Sequence, residues 1–345
     1  MLKSLVRPVV GGWLLCGVGG GALANAQFIE EVVVTAQKRE QSLQETPIAI
    51  SAFDADFVDK KDMRDLSALN GLAPNLRMAS SPGNSNGATI NIRGSVTTNP
   101  ALTLEPTVGI YLDGIYIGKN IGGLFDVADL ARVEVLRGPQ GTLYGKNTLG
   151  GAINLIAKRP TGELGGSVKF TAGSERLRSM KAGIDLPALG EVGEGAGRLS
   201  TQLSYITTRR DGFIKNVASA EPGALPPAGR DFDNLDRRSG RIALLWQPTD
   251  ALDVHYAYDF SRIEQRPQMF QLTRLDQAQV DSYTQLTGLP RYDLRPFASG
   301  KRLSRASQDA ARQDDANVSG HGLELAWNAG ELGVLGEVTL KSLSG

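Results

Sequence analysis

From residue 164 onward the chain is written in alternation. In LGGSVKFTA (164–172), Val168, Phe170 and Ala172 stand on one side, with Ser167, Lys169 and Thr171 on the other. Met180, Ala182, Ile184 and Leu186 oppose Lys181, Gly183 and Asp185. Leu252, Val254, Tyr256, Tyr258 and Phe260 oppose Asp253, His255, Ala257, Asp259 and Ser261. Leu323, Leu325 and Trp327 oppose Gly322, Glu324 and Ala326; residues 198–207 follow less cleanly, and 237–247 least of all. Successive side chains of a strand point to opposite faces, so period two dictates strands with one apolar and one polar face. A soluble sandwich carries that signature too. Two features favour a membrane wall. The alternation lasts about ten residues per segment, the span of a membrane strand. The connections also alternate: QPTDA (247–251) and NAGEL (328–332) are short, whereas 210–236 and 264–318 are long and polar, as in an outer-membrane barrel.

About seven strands are expected after residue 160. So small and odd a set cannot close, and leaves unpaired edges in lipid. The expectation is therefore an incomplete antiparallel transmembrane β-barrel, with the chain cut off partway through it.

Residues 41–160 mix signals. In FDADFVDKKDMRDLSALNGL (53–72) the apolar residues recur at spacings of three and four, which predicts two short amphipathic helices ended by Gly71 and Pro74. SSPGNSNGA is a loop by composition, TINIRG a short strand, and PTVGIYLDGIYIG a hairpin turning at Asp113-Gly114. ARVEVLRGPQGTLYG begins as a strand and ends in a glycine-rich turn. This half reads as an α+β domain. The 41 glycines and 6% aromatics suit a turn-rich β protein.

Ahead of both lies a secretory leader. Lys3 and Arg7 precede VVGGWLLCGVGGGALA, and Ala24-Asn25-Ala26 is a small-x-small cleavage site. The expected mature chain begins near Gln27 and holds no cysteine, since Cys16 is the only one. No later run is long and apolar enough for a transmembrane helix. Lys+Arg and Asp+Glu both number 37, so no global basic excess supports nucleic-acid binding.

Catalysis finds no footing. The two histidines, His255 and His321, sit in separate strands, and without cysteine neither a thiol nucleophile nor a His/Cys metal site assembles. GPQGTLYG has the wrong glycine spacing for a dinucleotide fingerprint and lacks the GK[ST] of a P-loop. No enzyme, no cofactor and no bound metal are expected.

EEVVVTAQKRE (30–40) is a short strand-forming run with no obvious partner strand. Together with TPIAISAFDADF, NIRG (91–94), PTVGIYLDGIYIG and RVEVLRGPQGTLYGKNTLGGAINLIAKRP (132–160), it resembles the N-terminal region of a TonB-dependent outer-membrane receptor. Residues 161–345 are similar to the opening strands of such a barrel in style alone.

The resemblance implies a leader at 1–26, a TonB box and linker at 27–43, a plug at 44–160 inside the barrel, and the partial barrel at 161–345. Glu31, Val32, Val33, Val34, Thr35 and Ala36 are then the TonB box, an extended peptide that adds to a partner's sheet edge. Arg93 with Gly94, and Arg137 with Gly138 and Pro139, are expected at the plug–barrel contact, the arginines meeting barrel glutamates. The loops SSPGNSNGA, VTTNPALTLEP and GKNIGG are expected to meet cargo. The implied function is TonB-powered uptake of a chelated small molecule, a ferric siderophore, in the outer membrane of a Gram-negative bacterium. The plug and N-terminus would face the periplasm, with outer-membrane lipid around the wall. Cobalamin, haem and carbohydrate are alternative cargoes, and a non-transporting plug that only binds TonB is the alternative of another class.

Overall fold

The residues between 50 and 157 build two packed sheets, and those after 164 build a third, larger one. The computed structural model describes residues 33–39, 41–63, 65–81, 84–97, 103–118, 129–217, 231–266, 268–287, 298–306, 314–333 and 336–345. The leader expected at 1–26, Glu31 and Val32 of the expected box, and much of the expected cargo loops at 82–83, 98–102 and 119–123 lie outside them.

β1 (Val33–Val34) pairs antiparallel with β2 (Gln41–Ser42). β3 (Ile50–Asp54) enters α1 (Ala55–Lys60), where the Asp54 carboxylate accepts from the Phe57 amide at 2.7 Å and caps the first turn. The second expected helix is only a 3-10 turn, Leu66–Leu69, capped by Asp65. Phe53 belongs to the strand rather than to the first helix. The first helix is shorter than the apolar spacing implies, because Phe53 is drawn into sheet pairing with Val133.

β4 (Leu76–Ser81), β5 (Asn84–Ile92) and β6 (Ser95–Val96) form one antiparallel sheet. β7 (Val108–Leu112) turns into β8 (Ile115–Ile117) through Asp113 at φ 49° and Gly114 at φ 85°, the two left-handed positions of a type I′ hairpin. β9 (Leu130–Arg137), α2 (Gly141–Tyr144) and β10 (Gly151–Ala157) complete the domain. GPQGTLYG is thus more than a turn: it ends in one helical turn that carries Tyr144 inward.

The central sheet has the order β3-β9-β10-β7-β8, with β10 parallel to β7 and the remaining pairs antiparallel. One of its faces, with Val108, Ile110, Val133, Val135, Ile153 and Leu155, packs on Val58, Leu66, Leu69, Leu76 and Ile90 as the main core. Each fully buried aliphatic side chain there contributes roughly 1.5–3 kcal/mol. The other face gathers Tyr111, Leu136, Tyr144 and Ala152 around Val34 and Ala36.

The wall follows. Its strands are β11 (Gly165–Gly173), β12 (Leu177–Leu189), β13 (Arg198–Arg210), β15 (Leu235–Thr249), β16 (Leu252–Gln265), β18 (Asp314–Glu331) and β19 (Glu337–Ser344). They pair antiparallel in that order. The long links carry β14 (Lys215–Asn216), paired with β17 (Arg305–Ala306), and α3 (Gln277–Thr287). β18 begins at Asp314, inside the stretch that reads as loop, because Asp314 to Val318 continue the ladder opposite Gln265 to Ser261.

The wall is inside-out relative to a soluble sheet. Phe170 is 75% exposed, Trp327 is 49% exposed, and Val168, Ile184, Leu203, Ile242, Leu325 and Leu340 share that open face. Ser200, Gln202, Ser204, Thr208, Arg237, Ser239, Arg241, His255 and Glu324 are the buried ones. An apolar outside and a polar inside is the membrane-barrel distribution, and the predicted faces fall accordingly. The first and last strands, β11 and β19, each pair on one side only among the described residues. The architecture is an α+β plug followed by an incomplete antiparallel barrel.

Candidate functional site

The segment 33–36 does not hang free. β1 uses its ladder on β2, with Val33 opposite Ser42 and Val34 opposite Gln41. Lys38, at φ 63°, turns the hairpin, and its amide donates to Thr35 O at 2.9 Å. Its ammonium lies 4.5 Å from the Tyr144 ring centre, within cation–π range. Val34 and Ala36, each 1% exposed, sink into the second face of the plug sheet. The expected unpaired peptide is therefore corrected: Val33 and Val34 have a local partner, and the segment is docked.

Side chains from three strands and α2 hold it there. Glu134, fully buried on β9, accepts from the Thr35 amide at 2.8 Å and from Thr35 Oγ1 at 3.2 Å. Arg132 Nε donates to the same Glu134 oxygen at 2.9 Å, and Arg132 Nη2 donates to Thr35 Oγ1 at 3.2 Å. Asn154 Nδ2 donates to the other Glu134 oxygen at 3.2 Å and to the Tyr144 hydroxyl at 2.7 Å. That hydroxyl donates to Ala36 O at 2.9 Å, while the Tyr111 hydroxyl donates to Tyr144 O at 2.5 Å. Hydrogen bonds to a charged acceptor such as Glu134 contribute about 1.5–3 kcal/mol each. Sequence reading passed over Arg132, Glu134 and Asn154. The available signal is alternation in RVEVLRG and AINLIA: Val133, Val135, Ile153 and Leu155 fall on one parity, and Arg132, Glu134 and Asn154 on the other.

Arg93 lies against Gly138, the residue after Arg137. Gly138 has φ 106°, a backbone region that favours glycine, and a Cβ there would lie 2.9 Å from Arg93 Nη1. Arg137 Nη2 reaches Ile50 O at 3.5 Å. Arg93, Gly94 and Pro139 are exposed. Among the described residues neither arginine meets a wall glutamate: Glu324 takes Arg159 at 2.6 Å and Lys341 at 2.9 Å, and Glu264 takes Arg262.

Apart from Arg159 on Glu324, the plug meets the described wall with its acids. Asp59 pairs with Lys181 at 2.9 Å, Asp62 with Lys169 at 3.4 Å, and Asp65 with Arg237 at 2.5 Å. Arg241, 2% exposed, is clasped by Asp113 from the β7–β8 turn and by Asp259 at 2.9 Å from the neighbouring strand. On β11, β12 and β15 the polarity is thus the reverse of the expected one, with bases on the wall and carboxylates on the plug, while Arg159 on Glu324 of β18 keeps the expected polarity. A buried arginine is tolerable because its partners answer it. Near the long-link ends of the strands, Asp62, Asp65, Arg210, Asp233, Arg237 and Gln265 line a polar cavity of about 390 Å³ between plug and wall. Burial pushes the Asp233 carboxyl above its ordinary value, against the opposing pull of Arg210, Arg302 and Arg237.

Comparison with known proteins fits this geometry. The family model for the TonB-dependent receptor plug domain matches residues 42–152. The chain is 30% identical over 179 residues to a vitamin B12 transporter of Vibrio vulnificus, covering 51% of this chain and 28% of that protein. It is 28% identical over 274 residues to a ferric enterobactin receptor of Pseudomonas aeruginosa, covering 71% of this chain and 36% of that one. The chain therefore spans about a third or less of the length of these relatives. The crystal structure of the ferric yersiniabactin uptake receptor of Yersinia pestis superposes with a TM-score of 0.58 at 19% identity, over 82% of this chain and 38% of that one. The ferripyoverdine receptor of Pseudomonas aeruginosa gives 0.60 at 18% identity, over 86% and 34%. By name, these similar proteins are a transporter and receptors.

Proposed function

We propose, from the premise that this chain carries the TonB-dependent receptor plug domain and strands of that family's barrel fold, that it serves TonB-powered uptake of a ferric siderophore across a Gram-negative outer membrane. One observation carries the reading: the polar inner face of a membrane wall is occupied by a folded plug held by ion pairs. A filled lumen passes nothing bulky until the plug moves. Moving it means separating buried charges, so work must come from another protein.

Residues 31–36 are the proposed handle. Val and Thr favour the extended backbone and stiffen χ1, which suits a peptide that adds as a strand to a partner's sheet edge and carries load through parallel main-chain hydrogen bonds. Arg93, Gly94, Arg137, Gly138 and Pro139 are retained as proposed contacts to wall glutamates beyond the described strands. The wall's apolar face meets outer-membrane lipid, and the N-terminal segment faces the periplasm. The polar cavity near Asp65 and Arg237 is the proposed approach for a polar chelate.

The ferric enterobactin and yersiniabactin receptors among the similar proteins support a siderophore cargo. The vitamin B12 transporter supports cobalamin as the second reading. A deletion strain grown on single sources of ferric siderophore, cobalamin, haem or glycan tests this. Loss of growth on a ferric siderophore is expected; indifference to every source contradicts uptake and favours a plug that only binds TonB.

A further inference from the structure

We propose that Glu134 is the catch of a latch: with Arg132, Asn154 and Tyr144 it holds residues 33–36 on the plug sheet, and the segment reaches a partner strand only after these side chains release it. This rests on reading residues 31–36 as the strand handed to TonB.

A peptide that joins another sheet must offer its backbone N–H and C=O groups. Here those groups are already taken. The Thr35 amide is on Glu134, the Ala36 carbonyl is on the Tyr144 hydroxyl, and Val33 and Val34 are laddered to β2. Docking and handover therefore exclude each other. When only a fraction of molecules has the segment free, the apparent affinity for a partner falls by that fraction.

The catch is polar for a physical reason. Val34 and Ala36 bring small apolar surfaces, so packing alone holds the segment weakly. Glu134 adds a buried acceptor whose two oxygens are engaged from Thr35, Arg132 and Asn154. Arg132 reaches Thr35 Oγ1 as well, so both members of the ion pair grip one residue. Asn154 bridges Glu134 to Tyr144, and Tyr111 fixes α2 through Tyr144 O. Losing one contact weakens its neighbours, which gives a sharp opening rather than gradual fraying.

The test uses the native reading frame expressed in cells, with isolated outer membranes and a Val34→Cys reporter. Val34 is buried when docked, so a maleimide reaches its thiol only after release. Glu134→Gln keeps the shape and removes the charge; Tyr144→Phe removes the donor to Ala36. Each is expected to speed labelling about tenfold, the equivalent of one hydrogen bond to a charged or buried partner. A Val58→Cys reporter, buried in the main core on α1, keeps its parent rate. Without the reporters, purified TonB binds each variant about tenfold more tightly.

Unchanged Val34→Cys labelling in both variants overturns the latch, and if TonB still binds, the reading of residues 31–36 stands. Equal acceleration at Val58→Cys means general loosening and also overturns it. Faster labelling with no change in TonB affinity overturns the handover, together with the reading on which it rests.

Discussion

Tyr144 shows how much a single side chain decides. It sits in a one-turn helix after RGPQ, and its hydroxyl joins the docked segment to Asn154. Burial pushes its phenol up to about 12 from 10.0, helped by the nearby Glu134 charge and opposed by the Asn154 hydrogen bond. Burial likewise pushes Tyr111 up to about 12, with Tyr116 and Tyr144 adding to it. A folded value above the unfolded one means the associated stability is complete below pH 10 and is lost as pH rises through about 12. Following phenolate absorbance, Tyr111 and Tyr144 should ionise near 12, and Tyr144→Phe should remove one late step. All eight titrating together near 10 would contradict the buried pair. At this scale the sequence was half legible. Val33 to Ala36 stood out because β-branched residues ran together. Glu134 did not, because its contact with Thr35 spans 99 positions and leaves no local trace.

The strands were legible wherever their two faces differ in polarity. Ile242 and Ala243 are adjacent on β15, one exposed on the apolar face and one fully buried. Ile242→Arg should cost about 2–4 kcal/mol in folding into lipid vesicles if that face meets hydrocarbon, and Ile242→Leu close to nothing. Free tolerance of the arginine would place the face in water instead. β15 read weakly because Arg237 and Arg241 face inward and Arg238 lies exposed beside them, so charge appears on both sides of the pattern. Their partners Asp65 and Asp113 lie on the plug, more than a hundred residues earlier. Arg241→Ala leaves Asp113 and Asp259 facing each other without their cation. The plug should lose about 3–5 kcal/mol against urea, and a loss below about 1 kcal/mol, the level of an exposed pair, would show that the clasp is incidental.

For the whole molecule, fold and mechanism share one arrangement: a polar-lined wall, a plug clamped to it by ion pairs, and a short strand docked on the second face of the plug sheet. Period two disclosed the wall, and the long RVEVLRGPQGTLYG run disclosed the plug. The acid-on-plug, base-on-wall pairing stayed hidden, because alternation says which way a residue points and not what it meets. The central claim is that work reaches the plug through residues 31–36. Val33→Pro removes a backbone donor there and blocks strand addition. Cells carrying the native frame or the Val33→Pro variant can be given the labelled cargo identified by the growth screen, and surface binding and internal accumulation measured separately. The account predicts native binding with accumulation reduced to that of a strain lacking TonB. Accumulation at the native rate in the Val33→Pro cells would contradict it.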